Sequence, residues 1–498
     1  MKPNVKKIVS YLYFVTLILL AGCSKKLEEQ PKTFISPDRF FQNVTQCTQA
    51  VKGVYIPLND IFGQESLWLT TEAGTDLTVG SQTYTESNYT YTPGSPGTSY
   101  GMWNKLYVAI INANFVINRI GKSPIDAAAK AKLIGEAKFL RGMFYFMLSN
   151  LFGDVPYYET EVNGTTLDKI GSLARTPLPE VRDSIIKDLQ YAITNLPVSY
   201  AAAETGRATK GAAQALLAKV FLYNKDWVNA QSTAQQVVDG GQYILLTNYA
   251  NLFDVNGGFK NNKESIFEIQ YRRDAAANIN YKVHYYYTWY FPFQVGNTFG
   301  GVDFGTTTLI GYELLYPTQK MANLFEAGDK RKPVVVSFDY NGQSFTRLPK
   351  PGRPWFGPKF WDLQANERNS GKNLYFLRYA DVILTLAEAM NEQNNTAGCI
   401  TELNKIRTDH AGLPDLTPGL SQDSLRSLIR NERGIEFVGE FQRKWDLARW
   451  GILAQSVQSA QGTDNTLAAN NVREFHRYFP IPAAEIVKNP NLTQNTGY

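Results

Sequence analysis

The sequence predicts a mainly α-helical protein in which tetratricopeptide-like helical hairpins carry one large irregular insertion. Apolar residues recur at the helical period of 3.6 in paired segments that short turns connect. Between residues 271 and 376 the texture changes to glycine, proline and aromatic residues, with short strand-like stretches. One helical pair also has small residues that allow close antiparallel packing, namely Ala212, Ala213, Ala215, Ala218, Ala230 and Ala234.

The apolar stripes, together with residues that favour helix starts and ends, predict the positions of the individual helices. Ser36, Pro37 and Asp38 combine an N-cap, a proline at the first helical position and a first-turn acid, so a helix is expected to begin there and to end at Pro57. The stretch 127–151 is apolar on nearly every side, which indicates a helix buried between neighbours. Other helices are predicted over 103–120, 178–196, 209–223, 227–238, 379–392, 396–408 and 421–450, and a strand over 334–338.

These elements divide the body of the chain into three parts. Residues 37–270 are predicted to form an N-terminal helical scaffold, and residues 271–376 an irregular, aromatic-rich insertion. Residues 377–498 then complete the scaffold. The hairpins recur without a strict period, although the tetratricopeptide repeat is about 34 residues long.

Composition disfavours several classes of function. Of 498 residues, 44% are hydrophobic and 13% aromatic, which suits a large folded core. The formal charge of +5 owes much to Lys2, Lys6 and Lys7, and no basic cluster is long enough for a nucleic-acid footprint. Three cysteines cannot build a disulfide framework, and three histidines leave little for a histidine-rich metal site. Cys47 and Cys399 could pair, but both lie in apolar helical patterns, so we expect buried free thiols, and we expect no metal or cofactor.

The N-terminus has the layout of an export signal. Three lysines precede an apolar run over 8–20, which is shorter than the roughly 20 residues of a transmembrane helix. The sequence Leu20-Ala21-Gly22-Cys23 resembles the bacterial lipobox, in which the cysteine becomes the first mature residue and carries lipid. We therefore expect a signal peptide over 1–22, lipid attachment at Cys23 and a polar tether over 23–36.

One pair of carboxylates is a candidate for enzymatic chemistry. Glu432 and Glu436 are one helical turn apart, which could give the separation that a glycosidase needs. The same helical face also carries the apolar stripe, and carboxylates on a buried face require cations such as Arg430, Arg433 or Arg443. We interpret the pair as part of a structural ion-pair network and expect no catalytic activity.

The densest aromatic segment is the stronger candidate for a binding site. A partly exposed ring offers a flat face to a sugar, and a tyrosine hydroxyl can hydrogen-bond at its rim. Most of these rings are expected to fill the core beneath the insertion, leaving Trp289, Tyr286 and Tyr287 as ligand candidates; Tyr91 and Trp355 are further candidates of the same type. Residues 281–293 hold eight aromatic residues: Tyr281, Tyr285, Tyr286, Tyr287, Trp289, Tyr290, Phe291 and Phe293.

A series of short motifs follows in a fixed order along essentially the whole mature length. The segments are GEAKFLR at 135–141, FGDVP at 152–156, RATKGAA at 207–213, LRYADV at 377–382, AEA at 387–389, LNKIR at 403–407, Glu432-Arg433 with Glu436, WDL at 445–447, RWG at 449–451, FPIP at 479–482 and Asn489-Pro490. This set resembles the SusD/RagB family, the outer-membrane nutrient-binding lipoproteins of Bacteroidetes, and the order of the motifs together with the lipobox makes the resemblance specific.

The resemblance implies a function as well as a fold. It implies a tetratricopeptide-like scaffold at the cell surface, lying as a lid over a SusC-like TonB-dependent transporter. Members of the family capture oligosaccharides, or peptides in the RagB branch, and are not catalytic. The motifs are scaffold signatures, so no binding residue transfers to a position of this chain. We expect an oligosaccharide ligand, with a peptide as the alternative.

Overall fold

A computed structural model of the chain describes residues 40–254, 260–272, 283–295, 298–305, 309–365 and 369–498. The expected signal peptide, the tether, Cys23 and the expected helix start at Ser36 lie outside these residues. Within them the helices are α1 (Val44–Gly63), α2 (Glu65–Thr71), α3 (Thr85–Asn88), α4 (Ser99–Lys122), α5 (Ala127–Phe152), α6 (Leu167–Gly171), α7 (Leu178–Asn195), α8 (Lys210–Tyr223), α9 (Trp227–Asp239), α10 (Tyr286–Tyr290), α11 (Gln319–Asn323), α12 (Lys332–Val335), α13 (Tyr379–Glu392), α14 (Thr396–Ile406), α15 (Gln422–Phe437), α16 (Arg443–Arg449), α17 (Leu453–Gln461), α18 (Thr466–Asn471) and α19 (Ala483–Lys488). The strands are β1 (Thr78–Gly80), β2 (Ser265–Ile269), β3 (Gln294–Val295), β4 (Thr298–Phe299), β5 (Val302–Asp303), β6 (Leu315–Pro317), β7 (Val336–Ser337), β8 (Asp339–Tyr340), β9 (Gln343–Ser344), β10 (Trp355–Phe356) and β11 (Leu374–Arg378).

The long helices form one continuous stack. In chain order α4 packs against α5, α5 against α7, α7 against α8 and α8 against α9. The chain then leaves the stack and returns as α13, which packs against α9 and is followed by its own partner α14. This arrangement of helical hairpins confirms the predicted fold class.

The first predicted helix differs from the observed one at its end. Asn43 caps α1 by accepting a hydrogen bond from the backbone N–H of Gln46 at 3.0 Å, and Pro57 lies inside the helix. The prediction that Pro57 ends the helix is therefore wrong. Because Val54 and Leu58 are buried on either side of the proline, packing outweighs the roughly 3 kcal/mol that an interior proline costs.

The prediction of a single helix over 421–450 is also wrong, because a turn separates α15 from α16. Gly439 and Phe441 have positive φ values of 79° and 63°, which a continuing helix does not allow. The buried carboxylate of Glu72 accepts hydrogen bonds from the backbone N–H groups of Gly439 and Gln442, at 3.1 and 3.0 Å. Glu72 thus replaces the backbone partners that the interruption removes.

The insertion is closed at its base by two antiparallel strands. β2 pairs with β11, Ile269 lying opposite Leu374, and β11 continues directly into α13. The remaining strands are short and antiparallel: β1 with β6, β7 with β10, β8 with β9, and β3, β4 and β5 in order. The stretch predicted as a strand over 334–338 is instead the end of α12 followed by β7.

Two buried clusters form the core. The larger one runs from α1 to the C-terminal segment and includes the whole second half of α5, which is buried between neighbours as expected. The smaller one lies between α13, α14 and α15. Cys47 belongs to the first cluster and Cys399 to the second; both are free and buried, as the sequence predicts.

Candidate functional site

The five aromatic candidates are all buried. Trp355 is fully buried and Trp289 is 3% exposed, while Tyr286, Tyr287 and Tyr91 are exposed by 7% or less. The expectation that Trp289 and its neighbours keep a free ring face is therefore wrong. The physical reason is that other rings and backbone cover every one of them.

Trp289, Tyr286 and Tyr287 lie on α10, which is held between α2 and the turn before α16. The Trp289 ring packs on Trp68 with 4.4 Å between centroids, and the Tyr286 hydroxyl donates to the Gly439 carbonyl. Tyr286 and Tyr287 line a cavity of about 50 Å³. A space of this size holds a few waters and leaves little room for a sugar ring.

Tyr91 and Trp355 are packed in two other places. The Tyr91 ring lies 4.6 Å from that of Phe479, and its hydroxyl accepts from the Lys444 ammonium at 3.1 Å. Burial lowers the pKa of Lys444 to about 7, with Glu86 opposing the shift. Trp355 donates its indole N–H to the Arg347 carbonyl at 2.9 Å.

The exposed aromatic side chains nevertheless belong to the insertion. In the described ranges they are Phe293, Tyr312 and Phe338, which are 51%, 37% and 43% exposed. Phe293 closes the aromatic segment that the sequence singles out, whereas Tyr312 lies outside it. No sequence signal separates Tyr312 from the buried tyrosines, because the difference depends on which strand covers it.

Phe293 and Tyr312 lie on adjacent stretches of backbone. The N–H of Tyr312 donates to the Thr288 carbonyl at 2.8 Å, and the N–H of Glu313 donates to the Phe291 carbonyl at 3.1 Å. This pairing requires glycine at 311, because a Cβ there would lie 1.9 Å from the Pro292 carbonyl oxygen. The two exposed rings thus sit at one edge of the insertion.

A partly exposed ion pair accompanies these rings. The Arg347 guanidinium binds the Glu313 carboxylate, with 43% and 21% of the two side chains exposed. The same carboxylate accepts from the N–H of Phe293 at 3.4 Å. Arg347 also lies over the buried Trp355 ring, 5.2 Å from its centroid. We call Phe293, Tyr312, Glu313 and Arg347 the aromatic rim.

Two of the buried candidates, Trp289 and Trp355, hold residues of the aromatic rim in place. The Trp289 carbonyl accepts from the N–H of Leu314 at 2.9 Å, which helps hold the stretch that carries Tyr312. Trp355 holds Arg347 through its indole N–H and its ring face. These two tryptophans position exposed groups and offer no face of their own.

The carboxylate pair lies in an ion-pair network, as the sequence predicts. One guanidinium nitrogen of Arg331 donates hydrogen bonds to both Glu432 and Glu436, so the arginine side chain occupies the space between the two carboxylates. Arg378 and His410 also bind Glu436, at 2.6 and 2.9 Å. A substrate cannot enter between groups that a buried arginine already bridges.

The prediction that Arg430, Arg433 or Arg443 neutralises this pair is wrong. Arg433 binds Asp381 and Asp446, at 2.9 and 2.8 Å, and Arg443 binds Asp76 at 2.8 Å. Arg430 lies over the Trp450 ring, 5.5 Å from its centroid. The true partners come from positions far away in the sequence, so helical spacing could not identify them.

Burial and charge shift the pKa values of this network in different directions. Burial alone would lower the pKa of His410, but Glu264 and Glu436 outweigh it and raise that pKa to about 9. Burial acts to raise the pKa of Glu436, yet His410 and Arg378 hold it well below its ordinary range. For Glu432, burial prevails over Arg331 and raises the pKa.

Glu264, His410 and Glu436 also bring three possible metal ligands within 4.8 Å of one another. Arg378 binds both carboxylates, at 2.8 Å to Glu264 and 2.6 Å to Glu436. A protonated histidine and an arginine already balance these carboxylates, so the cluster has the chemistry of an ion-pair network and does not suit a cation.

Comparison with known proteins agrees with this architecture. Residues 355–498 match the family model described as the SusD family, and residues 35–222 match the model described as starch-binding associating with outer membrane. The chain belongs to the SusD family. The description of the second model names starch binding and association with the outer membrane.

Individual relatives cover nearly the whole chain. SusD-like protein P25 of Formosa agariphila is 28% identical over 99% of this chain and 100% of its own length. The starch-binding protein SusD of Bacteroides thetaiotaomicron is 23% identical over 83% of this chain and 80% of its own. A solved laminarin-binding SusD-like protein is 25% identical, with a TM-score of 0.74 and coverage of 92% of this chain and 100% of its own.

None of the helices in the described residues combines the length and apolar character needed to span a lipid bilayer.

Replacing Glu436 with glutamine is expected to lower the free energy of unfolding by about 3–5 kcal/mol. The reason is that the change leaves Arg331, Arg378 and protonated His410 with one buried counter-charge fewer. Chemical denaturation measures the effect, with Asp183→Asn, an exposed carboxylate on α7, as the control that changes stability by about 0.5 kcal/mol or less. Unchanged stability in Glu436→Gln would contradict the structural role.

The charged state of His410 predicts a pH dependence of stability. Its pKa lies at about 9 in the fold against an ordinary value of 6.5, so its contribution is complete below pH 6.5 and is lost as pH rises through about 9. The difference in unfolding free energy between the wild type and His410→Gln should therefore shrink across this window. His284→Gln is the control, since burial lowers the pKa of His284 to about 3. The difference in unfolding free energy between the wild type and His284→Gln should therefore stay constant across this window. A His410→Gln difference that is independent of pH would contradict the assignment.

Proposed function

We propose that this chain is a cell-surface lipoprotein that captures an oligosaccharide and delivers it to a SusC-like TonB-dependent outer-membrane transporter. Family membership supports glycan binding, as do the names of a starch-binding relative and a laminarin-binding relative. The lipobox at Cys23 supports anchoring through lipid. The proposal of a transporter partner rests on the family resemblance.

One observation carries the assignment of the binding surface to the aromatic rim. Phe293 and Tyr312, two of the three exposed aromatic side chains in the described residues, lie on paired stretches beside an accessible carboxylate and guanidinium. A sugar ring can stack its C–H face on such rings while its hydroxyls bond to the charged pair. The rim supplies both interactions within one edge of the insertion.

The same geometry supports weak binding without chemistry. Two rings on an open surface bury little of a ligand, and a protein that passes its cargo on must release it, so we expect micromolar or weaker affinity. The candidate catalytic carboxylates are bridged by Arg331, which supports a binding protein over a glycan-degrading enzyme.

Alanine at Phe293 and at Tyr312 is expected to weaken glycan binding about tenfold or more for the pair, with little change in melting temperature, because both rings are exposed. Isothermal titration of the mature chain against starch, laminarin and a panel of plant and fungal oligosaccharides measures the affinity. Phe338→Ala is the matched control, since it removes an exposed ring elsewhere in the insertion. Trp289→Ala should lower stability, because that ring is buried.

Two results would overturn the glycan assignment. Silence against every glycan, with binding to peptides, would favour the peptide-binding alternative of the RagB branch. Binding of a glycan that survives the double substitution would remove the rim as its site. A chain that acts only as a structural partner of the transporter would bind neither glycans nor peptides.

Cys23→Ala is expected to abolish membrane association, because the mutant has no thiol to receive lipid. Fractionation of cells into membrane and soluble material measures this, together with incorporation of labelled palmitate. Cys47→Ala, which changes a buried thiol, is the control and should leave both unchanged. Labelled lipid on the Cys23→Ala protein would contradict the anchor.

A further inference from the structure

A second pocket lies on the helical scaffold, away from the aromatic rim. Its volume is about 240 Å³, and its walls come from the end of α5, from α7, from the end of α8, from α16 and from residues 477 and 478. One water needs about 10–15 Å³ of such space, so the pocket has room for a group much larger than a simple ion. It shares no residue with the rim.

Four buried side-chain donors on residues of the pocket wall have no partner in the described part of the chain. They are the amide nitrogen of Asn150, the Nε of Arg182, the hydroxyl of Tyr223 and the indole nitrogen of Trp445. Asn150, Tyr223 and Trp445 are 7%, 5% and 4% exposed. A buried donor without a partner costs about 1–3 kcal/mol, so a small side-chain shift that brings one of them to an acceptor in the pocket would be favourable.

The charges around the pocket have one sign. Arg182 bonds only to neutral oxygens, the Tyr223 carbonyl at 3.1 Å and the amide oxygens of Asn224 and Asn150 at 2.9 and 3.4 Å. Lys225 and Arg477, both exposed, line the same pocket. None of these three cations has a carboxylate partner among the described residues.

The fourth cation of the pocket is already neutralised. Arg449 binds Glu388 at 2.6 Å and Asp446 at 2.8 Å. The excess positive charge therefore comes from Arg182, Lys225 and Arg477. Burial without a counter-charge lowers the pKa of Arg182, and an anion in the pocket would remove that penalty.

We propose that this pocket binds the oxyanion group of an acidic sugar, a carboxylate or a sulfate, in the same oligosaccharide ligand class as the proposed function. Oxyanions accept several charge-assisted hydrogen bonds at once, which matches the three cations Arg182, Lys225 and Arg477. Tyr478 is partly exposed on the pocket wall and can contact the rest of the sugar, and the volume exceeds what the anionic group alone fills.

Titration of the mature chain with a galacturonate oligosaccharide, a sulfated oligosaccharide, a neutral oligosaccharide and sodium sulfate tests this. We expect at least one acidic oligosaccharide to bind and Arg182→Gln to weaken it about tenfold or more, as loss of a charge-assisted hydrogen bond would. Arg477→Gln changes an exposed residue and gives the same test if Arg182→Gln does not fold. Lys187→Gln, an exposed lysine on α7, is the control and should bind normally.

Rim variants separate the two proposals. Phe293→Ala with Tyr312→Ala should weaken neutral-glycan binding about tenfold or more while the pocket still binds the acidic group, and Arg182→Gln should do the reverse. The pocket proposal is overturned if no acidic oligosaccharide binds, if Arg182→Gln and Arg477→Gln bind it as the wild type does, or if sodium sulfate binds as tightly as the sulfated sugar. Neutral-glycan binding at the rim would stand in each of these cases.

Discussion

The structure depends on a buried network of arginines and carboxylates where the insertion rejoins the helical stack. Arg378 ends β11 directly before α13, and its guanidinium binds Glu264 beside β2 and Glu436 on α15. Arg331 joins Glu436 to the insertion from the side of α12. Because each of these buried charges requires its partner, the insertion, the stack and the C-terminal helices cannot separate without leaving charge unpaired. The network thus fixes the insertion on the scaffold.

The fixed position of the insertion explains why its aromatic residues pack inward. The Tyr286 hydroxyl binds the Gly439 carbonyl in the turn after α15, so α10 lies against the same C-terminal region that the network holds. Its rings therefore stabilise the attachment. In the proposed function, binding falls to residues at the edge, where Phe293 and Tyr312 remain exposed on the stretches that α10 supports. Packing and the proposed recognition are thus assigned to different aromatic residues of the insertion.

The sequence predicts the scaffold well and the exposed surface poorly, for a physical reason. Helical periodicity is local, so α5 and α13 follow directly from the pattern of apolar residues. Exposure depends on contacts between distant segments: nothing near Trp289 in sequence indicates that Trp68 covers it. The same holds for Glu436, whose partner Arg331 is 105 residues away. The density of aromatic residues singled out the segment that ends at Phe293 but could not say which ring faces solvent.

Hydroxyl-radical footprinting with and without a saturating oligosaccharide tests the central claim, that the rim and not the buried tryptophans contacts the glycan. We predict that oxidation of Phe293 and Tyr312 falls on binding, while oxidation of Phe338 stays the same and Trp289 reacts little in either state. Protection of Phe338 alone, or no protection at Phe293 and Tyr312 while the glycan is bound, would contradict it.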